Sequence, residues 1–424
     1  MKILVCDDLP NRGEDTRRAI AAAGVNHEPV VAPVADFEAA IASLVKHSRD
    51  FLNRESRVGA SCCHPLFDDP DIGIVILDNN LAELEIAGAR HTAEALAGLI
   101  RAFTRIPYIV SLNKNWQTDF DLRYLVGDYQ TAADLALNLP HLDNPGLWRG
   151  VPAASTDSFL PWYWPVLSEV PETRRCQERF VDQHLGEQIL RTLGFESNYV
   201  PHLTRHAVGA LSPDAEPKGL FEAVTFSRFF ETSCTSLPIR KEREEITSRL
   251  RGDGDRAAAA RLVVVRVVAA ELERWFRRDV VGPQSVLVDT PHLLTRMPFL
   301  LGNQAGCLDR WNDVVAVSQG AAVAVEERYR SHLEAARFPH TCWTKSQCFW
   351  WPLLKGDAEL NASFFEDHPR WPDAVFCEDI SAFRAGTSAD GPREFAAEFE
   401  GPWSRRHVAG LTDKGYTPAS RFAL

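Results

Sequence analysis

The chain predicts an α/β fold over residues 1–139, a doubly wound parallel sheet, followed by a larger mostly α-helical or α+β region. Three observations predict it. Short apolar runs alternate with helical periodicity through residues 1–139, and two of those runs, Lys2-Ile-Leu-Val-Cys6 and Gly73-Ile-Val-Ile-Leu77, end directly in acidic residues. Periodic pattern then fails across a Pro/Gly/Trp-rich passage, 140–171, before helical patterns resume over 172–424.

The elements follow in order. Lys2–Cys6 is the first strand, Glu14–Ala23 a helix with Ile20 on its inner side, and Pro29–Ala32 a short second strand. Asp36–His47 reads as a helix with Phe37, Ile41 and Leu44 in register and Asp36 as its cap. Arg49–Asp71, a polar stretch containing Ser61-Cys-Cys-His64, reads as a surface insertion. Gly73–Leu77 is the third strand, and Ala89–Phe103 a helix carrying Leu96, Leu99, Ile100 and Phe103 toward the sheet. Pro107–Ser111 is the next strand, the fifth is placed near Leu122–Val126, and Thr131–Leu139 reads as the last helix, stopped before Pro140.

Beyond the linker, Arg174–Leu193 is amphipathic and Gly194 supplies its stop. Arg240–Arg251 is highly charged, Gly252-Asp-Gly254 interrupts it, and Asp255–Val280 resumes as a long helix. That helix is apolar nearly all round, which suits either the centre of a core or the seam of a homo-oligomer. Its Arg261 and Arg266 are either ligands for an anion or, as is commoner, surface and salt-bridge residues. Ala321–Ala336 reads as a helix, and Asp373–Asp379 and Glu394–Phe399 as short strands.

The chemistry sits at the strand ends. In a parallel sheet the carboxyl ends of adjacent strands form the crevice where ligands bind, so Asp7, Asp8 and Asp78 can converge on one hard cation such as Mg²⁺. A carboxylate attacks phosphorus only when a cation neutralises the charge that accumulates between them. The plainer alternative is that these residues cap strands and begin turns.

An acidic pair after the first strand, a single Asp ending the third, Gly88 in the loop beyond it and Ser111 ending the next strand together make residues 1–139 resemble the receiver domain of bacterial response regulators. That resemblance implies a receiver/flavodoxin-like sheet in which Asp7, Asp8 and Asp78 hold Mg²⁺ and Asp78 is the phosphoacceptor. Ser111 would contact the phosphoryl oxygens, Tyr124 would be the switch aromatic, and a histidine kinase or phosphotransfer protein would be the donor. The family also places a lysine after the fifth strand, where this chain has Gly127-Asp-Tyr-Gln130; Lys114, three residues beyond Ser111, is the cation that could substitute. The expectation is a phosphorelay protein whose receiver controls the carboxyl-terminal region. Two rivals are a degenerate receiver acting as an interaction platform and a receiver-controlled enzyme working on nucleic acid or nucleotide.

Composition narrows the partners. A net charge of −12 argues against wholesale coating of nucleic acid. Trp343, Trp350, Trp351, Trp371 and Trp403, near Arg405, Arg406 and His407, suit base stacking but equally a large aromatic core. The nine cysteines are odd in number and irregularly spaced, so they do not read as a disulfide framework, and neither Cys62-Cys-His64 nor His340–Cys348 has the paired spacing of a zinc site. With no signal-peptide pattern and no long uncharged apolar run, the expected location is the cytoplasm, with no membrane contact.

Overall fold

The computed structural model describes residues 1–24, 26–53, 58–81, 84–86, 89–90, 92–113, 132–139, 142–143, 145–149, 160, 162, 165–213, 217–237, 239–281, 286–317, 323–364, 374–378, 380–385, 393–394 and 406–408. Five parallel strands form the main sheet: β1 Lys2–Cys6, β2 Glu28–Val31, β3 Ile72–Asp78, β4 Tyr108–Asn113 and β5 Leu135–Asn138. Their order is 2-1-3-4-5, so the chain reverses its direction of travel between β1 and β3, where parallel sheets open a crevice.

Strand residues alternate between two cores, as a period of two requires. Leu4, Cys6, Val75, Leu77 and Ile109 face one core, and Ile3, Val5, Ile74, Ile76, Tyr108 and Val110 face the other. Helix α1, Pro10–Ala22, covers the second face with Ile20. Helices α2, Val34–Leu52, and α3, Ala93–Phe103, cover the first; α2 buries Phe37, Ile41 and Leu44, and α3 buries Leu96, Ile100 and Phe103. Asp36 lies within the first turn of α2 and is not its cap, which falls at Pro33, whereas Thr92 caps α3 by accepting the Ala95 N–H at 3.2 Å.

Two further expectations are corrected. Leu135–Asn138 is a strand pairing Val110–Asn113, not part of a helix; its apolar positions, Leu135 and Leu137, are two apart and both face one core. The described part of 49–71 does not lie wholly on the surface. Helix α2 runs on to Leu52, the Cys62 N–H donates to the Phe103 carbonyl at 2.7 Å, and Ala60, Cys62 and Phe67 are buried. The candidate strand near Leu122–Val126 lies outside the described residues.

The carboxyl-terminal region is built on the same sheet. Helix α4, Val170–His184, lies against β3 and β4, and α5, Arg240–Arg249, against α2. Helix α6, Asp255–Trp275, packs on both α3 and α4 and continues as a π-turn through Val280. From Val263 to Phe276 its residues are buried all round, so that part belongs to the centre of a core. Within the 140–171 stretch, Leu142, Leu147, Trp148, Leu160, Trp162, Leu167 and Val170 are buried. Strands β6, Leu287–Asp289, and β7, Cys348–Trp350, pair antiparallel. A second sheet takes the order β9-β8-β11-β10, from β8 Ala374–Cys377, β9 Ala382–Ala385, β10 Arg393–Glu394 and β11 Arg406–Val408. Among the described residues, no helix is long and apolar enough to cross a membrane.

Candidate functional site

Parallel register brings the acidic strand ends together. Cys6 pairs with Leu77 and Leu77 with Ser111, so Asp7, Asp78 and Ser111 arrive at one edge of the sheet from three adjacent strands. Asp7 starts the turn into α1 by accepting the Leu9 N–H at 2.9 Å, and Pro10 opens the helix. Gly13 keeps that helix tight on the sheet, since a Cβ there would lie 2.8 Å from Val31 Cγ1.

Asp7, Asp8 and Asp78 each present an oxygen, and these oxygens lie within 4.8 Å of one another. All three residues are buried, at 2%, 7% and 3% exposure. Ionised carboxylates at that spacing repel by on the order of 3 kcal/mol per pair at an effective dielectric of ~20. A hard divalent cation removes that repulsion and takes carboxylate oxygens as ligands, which makes the donor set chemically suited to Mg²⁺.

Ser111 is buried, with its hydroxyl 3.5 Å from the Asn79 side-chain oxygen, and the Asn79 N–H donates to the Leu112 carbonyl at 2.9 Å. Ser111 thus stands beside the residue that follows Asp78. Asn79 was not singled out from the sequence; its signal was its place directly after the strand-ending Asp78. Lys114, Tyr124 and Gly88 lie outside the described residues. With β5 at Leu135–Asn138, the residues that follow it are Leu139-Pro-His-Leu-Asp143, again without lysine.

The other candidates resolve into structure. Arg266 is buried and donates to the carbonyls of Ala60 and Ala102 and to Ser61 Oγ, and Arg261 pairs with Asp182 on the surface. Trp343 stacks on Phe276 at 5.7 Å, and Trp350 packs against Phe195, Tyr199 and Phe338, so both are core aromatics. Trp371, Trp403 and Arg405 lie outside the described residues, as do the side chains of Arg406 and His407. His64 caps a short turn by accepting the Leu66 N–H, and Cys62 is buried against Ser43. Among the described residues, Asp7, Asp8 and Asp78 are the cluster with metal-ligand spacing.

A buried ion network ties the sheet to the carboxyl-terminal helices. Asp134, just before β5, accepts from Arg101 of α3, from Arg174 of α4 at 2.9 Å and from the Ile109 N–H at 2.8 Å. Arg174 also reaches Glu273 of α6 at 2.6 Å. Burial, the largest single influence, works to raise the Asp134 pKa; Arg101 and Arg174 together outweigh it and hold the group down at about 2.

No protein-family model, curated protein or solved structure matches this chain.

Proposed function

We propose that the amino-terminal unit is a receiver-like phosphoacceptor, in which Asp7, Asp8 and Asp78 bind Mg²⁺ and Asp78 takes a phosphoryl group from a histidine kinase or phosphotransfer protein. The observation that supports it is the convergence of three buried carboxylates at the carboxyl edge of a parallel sheet, at the strand-order reversal. In this reading the cation neutralises charge between attacking carboxylate and phosphorus, and Ser111 contacts the transferred group. The added charge would shift an existing equilibrium toward the conformation that accommodates it better. The output passes to helices α4 and α6, which already lie on the sheet and on α3.

The test is direct. Incubation with Mg²⁺ and a small acyl phosphate is expected to add one phosphoryl mass to the intact protein. Asp78→Asn abolishes the addition, because an amide is a far poorer nucleophile. Asp8→Ala weakens it by removing a metal ligand, and Lys114→Ala weakens it only if that ammonium serves the phosphate.

A second reading is a receiver that never accepts phosphate and serves as an interaction platform. The absence of lysine after β5, at Leu139–Asp143, is the observation that favours it. No mass gain with any donor, with far-ultraviolet circular dichroism unchanged, selects the platform.

A further inference from the structure

A cavity of about 210 Å³ lies away from the aspartate cluster, between Tyr108 of β4, Trp162, the start of α4, the π-turn after α6 and residues 341–348. It exceeds the ~150 Å³ of an apolar protein cavity known to admit benzene. Among the described residues its walls combine Trp162, Val166, Val281 and Trp343 with a single lysine, Lys345.

Lys345 is unusual in its surroundings. Its Nζ is buried and has no hydrogen-bond partner among the described residues. The Trp162 ring centroid lies 5.9 Å from it. Three other charged groups of the wall are committed elsewhere: Arg277 pairs with Glu273 at 2.8 Å, and Asp289 accepts from Trp162 Nε1 at 2.7 Å and pairs with His292. Glu169, also in the wall, is the carboxylate whose field favours a charged lysine.

We propose that Lys345 is the nucleophile of a carbonyl-binding pocket that takes a small aldehyde or ketone with an apolar body and holds it as an imine on Nζ. The Nζ lone pair attacks the carbonyl carbon, forming a C–N bond while the π pair moves to oxygen. A proton passes from nitrogen to that oxygen, and the carbinolamine loses water to leave C=N. Amine and carbonyl are thus converted to imine and water, with no oxidant or reductant. Burial supplies the reactive form of the amine: desolvation outweighs Glu169 and pushes the Lys345 pKa down to about 7, so a large neutral fraction exists near neutrality. An exposed lysine, with its pKa of ~10.4, is almost wholly protonated there.

The experiment treats the full chain at neutral pH with benzaldehyde and sodium cyanoborohydride, then maps benzylated lysines by peptide mass spectrometry. Hydride fixes the imine as a secondary amine, so each modified site retains one benzyl group. The expected result is labelling of Lys345 on the order of ten-fold or more above the exposed Lys46 and Lys355, given the gap in neutral fraction. Lys345→Met removes the label from that peptide and leaves the melting temperature unchanged or higher, since the variant no longer buries an amine. Labelling confined to exposed lysines and the terminal amine, with Lys345 at or below them, overturns the proposal. That result in the wild-type map stands whether or not the variant folds.

Discussion

At the scale of single residues, charge pairing decides which acidic groups stabilise the fold. Asp134 is satisfied by two arginines and a backbone N–H, so Asp134→Asn leaves Arg101 buried without its counter-charge and Arg174 with Glu273 alone. The expected cost is about 3–5 kcal/mol, read as a lowered urea midpoint at neutral pH. The pH dependence carries the opposite signature to a buried histidine. Because the folded state holds Asp134 below its ordinary value of 3.8, at about 2, its contribution is complete above pH 3.8 and is lost as pH falls through 2. Acid unfolding measured across that window is expected to flatten in Asp134→Asn. The aspartate cluster behaves differently: it gathers three carboxylates within 4.8 Å, so neutralising one relieves repulsion. Asp78→Asn is expected to raise the metal-free melting temperature and to erase any rise with Mg²⁺. A bound metal adds about 2.7 kcal/mol at 100 times its Kd, so a wild-type melting temperature indifferent to Mg²⁺ excludes the metal centre.

At the scale of elements, what was legible in the sequence followed from local pattern. Strands β1, β3 and β4 are apolar runs with clear ends, and α2 and α3 carry their core residues at helical spacing, so the edge that gathers Asp7, Asp8, Asp78 and Ser111 could be read in advance. Strand β5 could not, because its four residues make sense only against Val110–Asn113, a pairing fixed by tertiary contact. The same holds for 49–71, whose polarity hid that Arg266 of α6 holds its backbone through the Ala60 carbonyl. Gly98 in α3 shows packing overriding propensity. Alanine is better than glycine in a helix by about 1 kcal/mol. Yet a Cβ at Gly98 would sit 2.1 Å from the Ser236 carbonyl oxygen, in a loop pinned by Glu271, which accepts the Ser236 N–H at 3.0 Å and its hydroxyl at 2.6 Å. Overpacking costs about 1–3 kcal/mol, so Gly98→Ala is expected to destabilise, and a raised thermal midpoint would show that the loop yields freely.

At the scale of the whole molecule, the sheet and the helices behind it share their cores. One cluster runs from Leu4 and Phe37 through Val264 to Phe383. The other joins Ile3 and Ile20 to Leu142, Leu147, Trp148, Leu167 and Val170, five buried apolar side chains that all follow residue 139. Each is worth about 1.5–3 kcal/mol when buried, so a fragment ending at residue 139 forfeits on the order of 10 kcal/mol on that face alone. A domain's entire stability is only about 5–15 kcal/mol, and the fragment also loses Arg174, which neutralises Asp134. Residues 1–139 expressed alone are therefore expected to lack a cooperative unfolding transition. Limited proteolysis of the full chain is the complementary measurement: a nick within 150–159 leaves both halves of each core in place, so the two fragments are expected to co-elute in size exclusion until denaturant is added. Separation of the fragments in native buffer, with the amino-terminal piece retaining a cooperative melt, would mean that the shared cores contribute little and that the sheet folds as an autonomous switch.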